Sequence, residues 1–105
     1  MSLPKLVRDR IPALIAESGR RCATEVLTEV ELQQALRAKL VEEAQEILAA
    51  DPGELPTELA DVLEVFEALV EAHGLDPAAI RHVQQARRAE RGGFSQRLRL
   101  LSIEA

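Results

Sequence analysis

Apolar positions along the chain recur at the three- and four-residue spacing of amphipathic helices, and prolines and glycines divide that pattern into pieces. Ile11–Glu17, with Pro12 near its start and Gly19 just beyond its end, reads as a short helix. Thr28, with Glu31 three residues on, has capping-box spacing and opens a long helix to about Ala50. Asp51-Pro52-Gly53-Glu54-Leu55-Pro56 breaks that helix, because proline cannot sit in a helix interior and Asp-Pro-Gly is turn chemistry. A second long helix is expected from about Pro56 to His73, stopping at Gly74. Asp76 as N-cap and Pro77 as first helical residue start a third, which ends at Gly92-Gly93. Cys22–Leu27 reads as extended and the tail 94–103 alternates in part, so one short terminal β-hairpin is expected beside the helices. No repeat, low-complexity tract or linker interrupts residues 1–105, and the expectation is one all-α domain.

The helical wheel shows which acids lie on apolar faces. With Leu40 at zero and about 100° per residue, Leu36 and Ile47 fall within about 40° of it. Glu43 falls at about −60°, inside this stripe, Lys39 at about −100° and Glu46 at about −120°, on its flank. With Val62 at zero on the next helix, Leu55, Leu59, Val65, Phe66, Leu69 and Val70 lie within about 80°. Glu58 sits inside that stripe at about −40°, and Asp61 at its edge at about −100°. Glu64, Glu67 and Glu71 fall on the opposite side, the ordinary place for solvated acids.

A short connection makes the two long helices antiparallel neighbours, an all-α hairpin core. Glu46 and Glu58 then stand at similar height beside the turn, and Glu43 and Asp61 about one helical turn further along. Carboxylates from facing helices thus converge on one half-buried patch, where unpaired charge is costly unless a cation compensates it. A hard divalent cation such as Mg²⁺ suits oxygen ligands and leaves room for phosphate oxygens. Arginines folded over the patch, from among Arg87, Arg88 and Arg91, are the other solution, a structural salt-bridge network.

Composition narrows the field. The chain is 47% hydrophobic and 30% charged, ordinary for a globular domain, and it has two Phe with neither Trp nor Tyr. That disfavours nucleobase recognition by rows of stacked aromatics. The single cysteine, Cys22, excludes a disulfide within the chain and a Cys-rich zinc site, and is expected to be a small buried residue. No apolar run reaches the length of a membrane span, and Met1–Pro12 carries charges, so a cytoplasmic protein is expected. The net charge of −5 combines an acidic middle, with no Lys or Arg from Leu40 to Ile80, and a basic C-terminal part. This disfavours duplex nucleic acid as a partner.

The acids singled out by the wheel spell Glu42-Glu43-x-x-Glu46 followed by Glu58-x-x-Asp61. This resembles the signature of the all-α nucleoside triphosphate pyrophosphatases, the MazG-like superfamily. Further blocks are similar to its house-cleaning, phosphoribosyl-ATP pyrophosphohydrolase-like branch: Lys5-Leu6-Val7-Arg8-Asp9-Arg10-Ile11-Pro12, Lys39-Leu40-Val41-Glu42-Glu43, Glu58-Leu59-Ala60-Asp61-Val62-Leu63-Glu64-Val65 and Arg91-Gly92-Gly93-Phe94. The resemblance covers nearly the whole length. It implies Mg²⁺-dependent hydrolysis of a nucleoside triphosphate, a non-canonical one in this branch, to monophosphate and pyrophosphate, with Mn²⁺ as a substitute metal.

Carried over by that resemblance, Glu43, Glu46, Glu58 and Asp61 are metal ligands, and Glu42 is an outer ligand or the base that activates water. Arg8, Lys39 and Arg91 are phosphate contacts. Many relatives carry asparagine four residues after the motif aspartate; here Val65 stands there, which leaves base and sugar recognition open. The residues alone also admit ordinary roles: Lys39 as an i,i+4 partner of Glu43, Arg8 as half of a surface pair, Gly92 as a helix cap. Two classes of function follow. One is a pyrophosphohydrolase, with phosphoribosyl-ATP as a narrower substrate option; the other is a non-catalytic helical interaction module. In either, wide apolar stripes on a short chain point to a homodimer or higher oligomer that completes a four-helix-bundle core.

Overall fold

The computed structural model describes residues 3–104 and contains four helices: α1 (Ile11–Glu17), α2 (Glu29–Ala49), α3 (Leu55–Ala72) and α4 (Pro77–Arg91). Each boundary follows from local chemistry. At the start of α2, Thr28 Oγ1 accepts from the Glu31 backbone N–H at 3.2 Å, and Glu31 Oε1 accepts from the Thr28 N–H at 2.9 Å. That reciprocal box satisfies two amide donors that the helix itself leaves unpaired. The bonds from Thr28 hold the Glu31 carboxyl below its ordinary range. Pro56 occupies the first turn of α3, where its missing N–H costs nothing. Asp76 Oδ1 accepts from the Ala78 N–H at 2.9 Å and caps α4. Gly74 follows α3 with φ 62° and Gly92 ends α4 with φ 82°, a backbone region that strains any side chain.

The chain groups into two compact units, Met1–Gly74 and Leu75–Ala105. The first is built on the α2–α3 hairpin. Gln33, near the start of α2, donates through Nε2 to the carbonyl of Ala72 at the end of α3, 3.0 Å away, so the two helices run antiparallel. Leu36, Val65 and Val70 are buried between them, and Leu32, Leu40, Ile47, Leu55, Val62 and Leu69 are half-buried around that centre. On the wheel these residues occupy mainly one side of each stripe. The other side, at about +40° to +100°, carries Val41 and Leu48 on α2 and Leu59, Leu63 and Phe66 on α3. All five are exposed, Leu48 by 88%. The second unit consists of α4 and an irregular tail.

Two sequence expectations are corrected. No strand occurs among the described residues: 20–28 and 92–104 are irregular, and the expected terminal hairpin does not form. Both segments lie open, with Val26 exposed by 99%, and neither buries an apolar face of the kind a two-stranded ribbon needs for stability. Cys22, expected to be buried, lies in the first of these segments and is exposed.

Candidate metal centre

The turn between α2 and α3 sets the site. Because α3 begins at Leu55, Glu58 falls in its first turn, where the positive end of the helix dipole favours a carboxylate. Asp61 follows three residues later on the same face. Across the hairpin, Glu43 of α2 points toward both. Glu43, Glu58 and Asp61 each present a carboxylate oxygen within 4.8 Å of the others. The Glu43 side chain is only 12% exposed, as expected for an acid inside an apolar stripe.

Two cations answer part of this charge. Lys39, 17% exposed, places Nζ 3.6 Å from Glu43 Oε1 and 3.7 Å from Glu42 Oε1. Arg8, from the segment before α1, donates through Nη2 to Asp61 Oδ1 at 2.8 Å. Glu58 stands among other acids. Its carboxyl is pushed above the ordinary range, first by desolvation and then by repulsion from Asp61, Glu46, Glu43 and Glu54. Glu46 is exposed and outside the triad, yet close enough for Glu58 to feel its charge.

This donor set fits a hard divalent cation. Three oxygen ligands converge, and one of them is destabilised as a carboxylate by its surroundings. A pocket of about 660 Å³ adjoins the triad; Arg8, Lys39 and the acids Asp9, Glu29, Glu43 and Asp61 are among its charged lining, and Leu36 and Val65 belong to its apolar wall. The volume is that of a small-molecule site.

Of the residues singled out from sequence, Glu43, Glu58, Asp61, Lys39, Glu42 and Arg8 thus form one connected cluster. Glu46 stands at its margin. Arg91 ends α4 in the second unit, followed by Gly92, whose N–H donates to the Arg88 carbonyl at 2.8 Å as a helix cap. The wheel missed that Glu64 and Glu71 also line the pocket. It assigned them to the solvent side of α3, which is correct for their exposure, but the N-terminal segment bounds that space with Leu6 and Val7. An apolar Leu6-Val7 step ahead of a charged run was the available signal.

The family model described as phosphoribosyl-ATP pyrophosphohydrolase matches residues 9–88, a stretch that includes α1, α2, α3 and every carboxylate of the cluster. An uncharacterized protein of Mycolicibacterium smegmatis (strain ATCC 700084 / mc(2)155) is 51% identical over 49 residues, 47% of this chain and 50% of that protein. The match thus spans about half the length of that curated relative. No solved structure matches the chain.

Proposed function

The chain belongs to the phosphoribosyl-ATP pyrophosphohydrolase family, within the all-α MazG-like superfamily, and from that premise we propose that it hydrolyses a nucleoside triphosphate, a non-canonical one, to the monophosphate and pyrophosphate. The observation that carries this reading is the convergence of Glu43, Glu58 and Asp61 beside a pocket that also presents Lys39 and Arg8.

Glu43, Glu58 and Asp61 would hold Mg²⁺, or Mn²⁺ in its place, with Glu46 as a further ligand. When bound, the metal clamps phosphate oxygens and neutralises their charge. Glu42 is assigned the base: its side chain is 36% exposed and is restrained by Lys39, so it can take a proton from a water while staying next to the ligands. That water cleaves the anhydride between the α- and β-phosphates, and pyrophosphate leaves. Lys39 and Arg8 bind phosphate oxygens, charge-assisted contacts suited to both side chain types. The exposed apolar flank of α2 and α3 is covered in this reading by a second copy of the chain, giving a homodimer or higher homo-oligomer. In this reading the protein is cytoplasmic; no described helix is long and apolar enough to cross a membrane.

The description of the matching family favours one narrower substrate, phosphoribosyl-ATP, through the same chemistry. The test is a panel of canonical, deoxy, deaminated and oxidised triphosphates together with phosphoribosyl-ATP, each incubated with Mg²⁺. Pyrophosphate and the monophosphate are the expected products, absent with Glu43→Gln. Orthophosphate in place of pyrophosphate would contradict the reading in favour of a different phosphohydrolase, and no product across the panel would leave the helical interaction module as the alternative.

A further inference from the structure

The segment before α1 reaches the acidic cluster through Arg8. Arg8 lies 53 residues from Asp61 in sequence, yet their 2.8 Å contact is much shorter than the two made by Lys39. Leu6 and Val7 are half-buried along the same pocket, so the segment is seated there rather than trailing in solvent. Residue 8 falls just outside the region matched by the family model.

The two cations of the site are held differently. Lys39 is 17% exposed and shared between two carboxylates. Arg8 is 57% exposed, its partner 36%, and the bond to Asp61 Oδ1 is the one ion pair recorded for it. An ion pair this open has little net strength and is readily exchanged. A divalent cation on Asp61 would also repel a guanidinium bound to the same carboxylate. Once displaced, the guanidinium remains beside the pocket with a planar fork of donors that matches phosphate oxygens.

We propose that Arg8 is an exchangeable counter-ion of the centre. It neutralises Asp61 while the metal is absent, yields that carboxylate when the metal binds, and then binds the triphosphate. This rests on the metal-dependent reading above.

The test compares the wild type with Arg8→Met, which keeps an apolar stem, and Arg8→Lys, which keeps the charge; helicity by circular dichroism establishes that all three fold. Calorimetric titration with Mn²⁺ alone should show Arg8→Met binding about two- to fivefold more tightly than the wild type, the scale of an exposed ion pair. That gap should narrow at high salt. With the best triphosphate of the panel, Arg8→Met should raise KM severalfold with a smaller change in kcat; Arg8→Lys should keep Mn²⁺ affinity near that of the wild type and show a KM between those of the wild type and Arg8→Met. Mn²⁺ affinity that Arg8→Met leaves equal or weakens, or a KM that does not move, overturns the proposal alone. No Mn²⁺ binding by the wild type overturns the metal reading and this proposal with it.

Discussion

The α2–α3 hairpin has two flanks of opposite character. On one, Glu43, Glu58 and Asp61 gather in partial burial, and Lys39 and Arg8 come to them. On the other, Val41, Leu48, Leu59, Leu63 and Phe66 lie open, with Arg37 at about +60° among them on α2. Each flank carries a deficit of a different kind. Clustered carboxylates demand positive charge, and burial with neighbouring acids raises the Glu58 carboxyl above its ordinary range. Exposed apolar side chains on adjacent helices are the kind of surface that association covers. A hairpin that only needed to be stable would carry neither. In the proposed reading, one flank serves chemistry and the other assembly.

The sharpest way to break this division is to neutralise the charged flank. Glu43→Gln or Glu58→Gln should lower pyrophosphate release by more than about a hundredfold, since even outer partners of metal ligands cost about 10- to 100-fold. Thermal unfolding without metal should be unchanged or shifted upward, because like-charge repulsion falls. Loss of fold instead of activity would make the cluster structural.

The apolar flank is tested by Phe66→Glu. Burying a phenylalanine contributes about 1.5–3 kcal/mol, so the dissociation constant of the oligomer should rise at least about tenfold, read by sedimentation over a concentration series. A mass independent of this substitution would place the interface elsewhere.

A smaller effect separates helix formation from both flanks. Thr28→Ala removes the N-cap of α2 and should cost about 1 kcal/mol of stability, measured by urea unfolding, with no change in substrate preference.

The pH dependence of the metal-free protein is subtler. Glu58 binds its proton more tightly folded than unfolded, so its contribution to stability falls as pH rises from the ordinary carboxylate value to the raised one, then stays constant. The wild type should therefore gain stability relative to Glu58→Gln as pH falls through that window, read by urea unfolding without metal. The smallest expectation is Cys22→Ser, within about 0.5 kcal/mol of the wild type because the side chain is exposed.

Helix boundaries were legible because each is written in local chemistry: the Thr28–Glu31 box, the Pro52–Pro56 break, Asp76-Pro77 and Gly92. The triad was legible for a similar reason, since helical period and one short turn suffice to bring Glu43 to Glu58 and Asp61. Glu46 stands off because its azimuth, about 60° beyond that of Glu43, carries it away from the facing helix. Arg8 meeting Asp61 depends on how an irregular segment folds back, which no periodicity encodes. The expected strands failed because alternation over a few residues does not supply the pairing and buried face that hold a sheet together.

The central claim is that Glu43, Glu58 and Asp61 form a metal centre, and the most direct measurement is calorimetric titration of Mn²⁺ into the wild type and Glu58→Gln at neutral pH. Saturable binding in the wild type, lost or greatly weakened in the variant, is the predicted result. No binding in the wild type, or equal binding in both, would contradict it.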